Sequence, residues 1–297
     1  MIVFLDFLKL IRFKNLLIIA LTQLLIKYVL INPFSHKISL SSFDFFLLSL
    51  STILIAGAGN IINDYFDIKV DRLNDRKIII GESIKRRSAI LLHILFSSTG
   101  IIIGFYLAWK VGIINLGFIN LFCVISLWYY STNLKRKPIS GNVLVALLSA
   151  LVLIIVPIYD LIPEPGVNFI EIFNKIAVYS LFAFFFSFIR EIIKDLEDFD
   201  GDKRSGMKTF AIAIGVKKTK TVLKILTSLI LSSFVYLLAI TYPYKLHFFL
   251  FILLILTIPF TCFLIMLFKA KTKQDFNVLS QLLKLIMIAG ILSVFIK

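Results

Sequence analysis

The stretch Asn60-Ile-Ile-Asn-Asp-Tyr-Phe-Asp-Ile-Lys-Val-Asp71 closes a long apolar run that begins at Phe43. The carboxylates of Asp64, Asp67 and Asp71 and the amide of Asn63 thus gather where a membrane helix meets water. If the helix continues, Asn63, Asp67 and Asp71 lie four residues apart on one face. Like charges stacked this way repel by about a few tenths of a kcal/mol per pair in water, and by more near a membrane, where carboxylates are costly to desolvate. A divalent cation offsets that repulsion. An all-oxygen donor set suits Mg²⁺, which is commonly held by a few carboxylates together with substrate phosphates. The plainer alternative is a solvated acidic cap on a helix.

A second set occurs in Arg190-Glu-Ile-Ile-Lys-Asp-Leu-Glu-Asp-Phe-Asp-Gly-Asp202. Asp195, Asp198 and Asp202 follow i, i+3, i+7 spacing, which places them on one helical face. Each set follows an even-numbered apolar run and leads into a basic loop. A diphosphate ester is too negative for carboxylates to bind directly. Two Mg²⁺ ions between two carboxylate sets can bridge it and stabilise the charge on a departing diphosphate. Arg76, Lys135, Arg190 and Lys208, in or beside the same loops, are candidates for completing the neutralisation. For most single basic residues here, a role in topology explains the charge equally well.

Positioning these groups requires membrane helices. The chain has 297 residues, 59% of them hydrophobic, with a formal net charge of +15. A soluble domain of this size has about half its residues apolar. Apolar runs of about 20 residues recur throughout, at approximately 11–31, 43–62, 88–108, 112–130, 141–159, 172–192, 221–241, 246–268 and 278–296. The fold class is all-α and integral to the membrane, one polytopic domain over residues 1–297. The first run, followed by many others and without a small-residue cleavage site, reads as a membrane helix rather than a removable signal. Basic residues sit between apolar runs, which argues for topology and against a nucleic-acid partner. Cys123 and Cys262 lie within apolar runs and offer neither a disulfide framework nor metal-ligand spacing. Basic clusters precede the first run and follow runs two, four, six and eight, whereas the other loops hold isolated basics such as Lys37, Lys110 and Lys245. This alternation puts the N terminus and the acidic sets in the cytoplasm and the C terminus on the opposite side.

These residues resemble the UbiA superfamily of intramembrane prenyltransferases. Asn63-Asp-Tyr-Phe-Asp-Ile-Lys-Val-Asp71 is similar to its first signature, NDxxDxxxD, and Asp195-Leu-Glu-Asp-Phe-Asp-Gly-Asp202 to its second, DxxDxxxD. Tyr130-Ser-Thr-Asn-Leu-Lys-Arg136 and Gly206-Met-Lys-Thr209 extend the likeness. Arg12-Phe-Lys-Asn15 resembles an Arg-Pro-x-Asn opening of the first helix, with Phe13 where proline is usual. The resemblance implies a single bundle of nine transmembrane helices around a central cavity open to lipid. It also implies transfer of an isoprenoid from its diphosphate to an aromatic ring or another lipophilic acceptor. It assigns Asn63, Asp67, Asp71, Asp198 and Asp202 to the metal site, with Asp64 and Asp195 in support. By the resemblance Lys135 approaches the diphosphate, and Arg76, Arg190, Lys208, Tyr130, Arg12 and Asn15 complete the candidate diphosphate-binding residues. One departure concerns the loop after the first signature, where many members read Arg-Pro-x-Pro-Ser-Gly. This chain reads Arg76-Lys-Ile-Ile-Ile-Gly81, without the prolines that stiffen the loop.

Within the superfamily, Asp64-Tyr-Phe-Asp-Ile-Lys-Val-Asp-Arg-Leu-Asn74 and Arg190-Glu-Ile-Ile-Lys-Asp-Leu-Glu-Asp198 look most like digeranylgeranylglyceryl phosphate synthase-type enzymes. Those move a geranylgeranyl group to a glycerophosphate ether lipid. An aromatic quinone precursor is the alternative acceptor. An ion-coupled transporter is the reading from another class, but its acids belong near the bilayer midplane on broken helices, and these lie at a boundary. A CDP-alcohol phosphotransferase needs an Asp-Gly-x-x-Ala-Arg run, and Asp200-Gly-Asp-Lys-Arg204 lacks the alanine. Soluble isoprenyl diphosphate synthases share Asp-rich motifs, but the hydropathy excludes them.

Overall fold

A short helix, α1 (Ile2–Leu10), precedes the first apolar run. The sequence gives no boundary between them, because both are apolar. The break falls at Arg12, whose backbone is left-handed (φ 54°, ψ 51°). Phe13 is the first residue of α2 (Phe13–Leu25), the helical position where proline is favoured. The computed structural model describes residues 2–35, 38–74, 76–242 and 246–296. Lys37 and Lys245 lie outside the described residues. Among those residues, nine helices are long and apolar enough to cross a membrane, and no strand forms beyond an isolated bridge between Ile80 and Ile84.

The chain divides into two compact units, Met1–Lys135 with Leu147–Leu181, and Arg136–Ala146 with Phe182–Lys297. In the first, α2 continues as a π-helical segment (Ile26–Ile31), followed by α3 (Ser42–Leu73), α4 (Arg86–Lys110) and α5 (Gly117–Thr132). Helix α3 starts on a capping box in which Ser41 and Asp44 each accept from the other's backbone N–H. Asp44 is also held by Lys110 Nζ at 2.7 and 2.9 Å. Its 32 residues span about 48 Å at 1.5 Å each, against a hydrocarbon core of about 30 Å. The last three turns therefore carry Asn63 to Asp71 beyond the apolar slab. Helix α3 packs along α4 and α5 and runs unbroken through Gly57 and Gly59. A Cβ at Gly59 would lie 2.8 Å from Leu127 Cδ1, so this glycine serves close helix packing.

Two groups of polar side chains buried in this unit satisfy one another. Asn120 Nδ2 donates to Ser51 Oγ (2.6 Å), Ser51 Oγ to the Gly100 carbonyl (2.7 Å), and the Tyr159 hydroxyl to Asn120 Oδ1 (3.2 Å). Lys27 and Asp160, 1% and 0% exposed, form an ion pair at 2.5 Å. Leu40 clasps the pair, its carbonyl accepting from Lys27 and its N–H donating to Asp160.

Helices α6 (Ser140–Asp160) and α7 (Phe169–Glu197) begin and end in different units by residue number. The second unit continues with α8 (Phe199–Arg204), α9 (Phe210–Ile214), α10 (Val216–Thr241), α11 (Leu246–Phe251), α12 (Ile258–Lys269) and α13 (Lys273–Leu292). Its aliphatic core carries a cluster of phenylalanines. Phe186 and Phe260 meet at 5.2 Å between ring centroids, Phe182 stacks on Phe234 at 5.6 Å, and Phe260 on Phe263 at 5.5 Å. Each such pair contributes about 0.5–1.5 kcal/mol beyond area burial.

Candidate active site

Helix α3 presents the first acidic set on one face, as the four-residue spacing requires. Each of its three carboxylates is held by one basic side chain from another segment. Arg12 donates through a guanidinium nitrogen to Asp64 Oδ1 at 3.1 Å. Lys135 Nζ is bonded to Asp67 Oδ2 and lies 3.5 Å from Asn63 Oδ1. Arg76 reaches Asp71 Oδ1 at 3.5 Å, and its backbone N–H meets the Asp71 carbonyl at 2.9 Å. Asn63 Nδ2 donates to Asp67 Oδ2 at 2.7 Å, fixing the amide orientation within the set. Asp67 is buried and Asp64 and Asp71 are half-buried. The site thus combines anionic oxygens on one helix with three cations from three other segments. A hard cation and a multiply charged phosphate ester are the ligands for which such a mixture of charges is suited.

Asn15 is half-buried in the first turn of α2, its backbone N–H bonded to the Arg12 carbonyl at 2.7 Å. Tyr130 is half-buried in the last turns of α5. The proline-poor loop after α3 is anchored by a residue that sequence reasoning did not single out. Asp6 of α1, only 2% exposed, accepts from Lys77 Nζ and from Ser83 Oγ, each at 2.6 Å. These two bonds hold the carboxyl of Asp6 below the usual carboxylate range. They fix both ends of the segment that starts at Arg76. Asp6 had no readable signal, being a lone acid in an apolar stretch.

In the second unit the acidic set is not on one uninterrupted helix. Helix α7 ends at Glu197, and Asp198 sits at the junction with α8 (φ −95°, ψ 5°). The junction is tight, since the Asp198 N–H bonds to the Lys194 carbonyl and the Asp202 N–H to the Asp198 carbonyl, both at 2.9 Å. Asp195 accepts from Asn142 Nδ2 at 3.0 Å and from the Phe210 backbone N–H, and Asp202 is buried. Asn142, like Asp6, was not legible as a site residue. Arg190 reaches its neighbour Glu191 at 3.4 Å, while its Nε is buried without a partner among the described residues. Lys208 is exposed, its backbone N–H bonded to the Arg136 carbonyl at 3.1 Å.

Among the described residues, no three His, Cys, Asp or Glu side chains converge as a closed metal cage. The donors of both sets are all oxygen, which fits an ion that keeps water or phosphate oxygens in its shell, as Mg²⁺ does, and does not fit zinc or a redox metal.

Comparison with known proteins agrees with this chemistry. The model of the UbiA prenyltransferase family matches residues 32–286. Digeranylgeranylglyceryl phosphate synthase of Pyrococcus horikoshii is 39% identical over 191 residues, which cover 63% of this chain and 63% of that protein. The aligned stretch is thus just under two thirds of the relative's length. A solved structure of a digeranylgeranylglyceryl phosphate synthase in membranes superposes with TM-score 0.67 at 24% identity, covering 99% of this chain and 98% of that one. A UbiA homolog from Archaeoglobus fulgidus bound to GPP and Mg²⁺ superposes with TM-score 0.58 at 18% identity, covering 97% and 99% of the two chains.

Proposed function

The chain belongs to the UbiA prenyltransferase family, and from that premise we propose that it transfers a geranylgeranyl group from its diphosphate to geranylgeranylglyceryl phosphate within the membrane. The observation that carries the reading is the face of α3, where Asp64, Asp67 and Asp71 are matched by Arg12, Lys135 and Arg76. The acceptor follows from the relative in Pyrococcus horikoshii, and the cation from the Archaeoglobus fulgidus homolog bound to GPP and Mg²⁺.

In this reading Asn63, Asp64, Asp67 and Asp71 hold one Mg²⁺, and Asp195, Asp198 and Asp202 hold a second. Bound Mg²⁺ neutralises the diphosphate and stabilises its departure. Lys135, Arg12 and Arg76 then have two partners to divide between, the carboxylates and the phosphate oxygens. Lys135 supplies a point charge to a phosphate oxygen, and Arg12 and Arg76 supply paired donors. Asn63 keeps Asp67 oriented through its amide. Asp6 keeps Arg76 in reach through Lys77 and Ser83. In the same reading the N terminus and the acidic segments are cytoplasmic and the C terminus lies across the membrane, supported by the positive-inside distribution of the basic clusters.

The test incubates the purified chain and Mg²⁺ with labelled prenyl diphosphates of several lengths and a panel of glycerophosphate and aromatic acceptors. The expected product is the doubly prenylated glycerophosphate, formed best from the geranylgeranyl donor. Prenylation of an aromatic acceptor alone would overturn the assignment of the acceptor, and no transfer to any acceptor would overturn the activity.

A further inference from the structure

A second group of cations lies on α3, on a different face from the carboxylates. Tyr65, Lys69 and Arg72 recur at i, i+4, i+7 and so form one stripe, which points roughly 165° away from the Asn63–Asp71 face at 100° per residue. With Phe66, Ile68 and Arg86 they line a cavity of about 360 Å³. Three of its six lining residues are cationic and the other three are aromatic or aliphatic. Among the described residues, Lys69, Arg72 and Arg86 have no side-chain hydrogen bond or ion pair. Glu82, a carboxylate of the loop joining α3 to α4, is exposed and pairs with none of them. The cations facing the α3 carboxylates, Arg12, Lys135 and Arg76, are committed, whereas these are not.

Two further features bear on the ligand. Arg86 is the first residue of α4, whose N-cap, Lys85, makes no side-chain cap and whose first turn carries no acid. The uncapped N–H groups of a 25-residue helix thus add their partial positive charge beside Arg86. The cavity also joins the ends of two membrane-spanning segments, Ser42–Leu73 and Arg86–Lys110. The apolar wall of Tyr65, Phe66 and Ile68 is therefore continuous with helix surface that enters the membrane. The Phe66 ring is itself packed edge-on against Tyr65 (5.4 Å) and Trp128 (5.8 Å), so this wall is fixed.

We propose that Lys69, Arg72 and Arg86, with the Tyr65–Phe66–Ile68 wall, bind the phosphate headgroup of an anionic membrane lipid at a site separate from the carboxylate face. The cations and the α4 N-terminus receive the phosphate, and the wall receives the first carbons of the tail. A soluble phosphate would use the cations but leave the wall uncovered. A zwitterionic headgroup would place its own cation among three like charges.

The test reads thermal melting of the purified full chain in detergent with short-chain phosphatidic acid, short-chain phosphatidylcholine or inorganic phosphate. Phosphatidic acid is expected to raise Tm saturably. Lys69→Gln/Arg72→Gln is expected to weaken that effect at least tenfold in apparent affinity. A charge-matched change elsewhere, Lys217→Gln/Lys218→Gln, is expected to leave it intact, which separates this site from general attraction to a basic protein and from lipid bound elsewhere. If the first double variant is not recovered folded, Arg86→Gln alone carries the comparison. Equal responses from the pocket and control variants would overturn the site. An equal rise with inorganic phosphate, or with phosphatidylcholine, would overturn the assignment to an anionic lipid.

Discussion

Replacing Lys135 with alanine separates two roles that its position combines. The ammonium is bonded to Asp67 Oδ2, with the Asp67 side chain 5% and the Lys135 side chain 23% exposed. Breaking a fully buried pair costs about 3–5 kcal/mol. Because Lys135 is partly hydrated, the cost here falls to about 1.5–3 kcal/mol, the range for a charge-assisted hydrogen bond. Asn63 Nδ2, at 2.7 Å, is then the contact left to Asp67 within the set. If Lys135 also contacts the diphosphate, kcat/KM falls tenfold or more, since about 1.4 kcal/mol corresponds to a factor of ten. A second change, Asp67→Asn, removes the stranded charge, so Lys135→Ala/Asp67→Asn should recover thermal stability without recovering turnover. The exposed neighbour Lys137 is the control, and Lys137→Ala is expected to change prenyl transfer less than twofold. Small, equal effects from Lys135→Ala and Lys137→Ala would refute the reasoning and assign Lys135 to topology alone.

Three other expectations can be checked separately. Asp6→Asn should lower Tm at neutral pH. Because the folded carboxyl titrates below its unfolded value, its contribution is present above about pH 4 and is lost as pH falls through the lowered pKa, so the two melting curves should converge in acid. Lys27→Met leaves Asp160 buried without its ammonium, at a cost of about 3–5 kcal/mol. Lys27→Met/Asp160→Leu should restore most of the loss in thermal melting, and a double variant as unstable as the single one would contradict the pairing. Reporter fusions at Lys135 and Glu164 should report opposite sides of the membrane, and agreement between them would overturn the basic-loop topology.

The spans were legible because burial in lipid demands long apolar runs, and every one of the nine helices overlaps the stretch read from hydropathy. Hydropathy ended the second span at Ile62, and the extension of α3 to Leu73 entered only as the condition under which Asn63, Asp67 and Asp71 share one face. The break at Asp198 was not legible, since the spacing of Asp195, Asp198 and Asp202 suits a continuous helix and no proline marks the junction. Non-local pairing was also hidden. Arg12 and Asp64 are 52 residues apart, and Lys135 and Asp67 are 68 apart, so composition showed the charges without showing which ones meet. The left-handed backbone of Arg12 carries no glycine to announce it. The missing prolines of the loop after α3 were visible, but the Asp6 anchors were not.

The most direct measurement of the central claim is Mg²⁺-dependent binding of geranylgeranyl diphosphate to purified wild type, Asp67→Ala and Asp198→Ala, with melting curves taken on the same samples. The account predicts binding by wild type that EDTA removes and Mg²⁺ restores. It predicts that each variant, still folded, loses binding and nearly all turnover. Undiminished binding in metal-free buffer, or in folded Asp67→Ala, would contradict it.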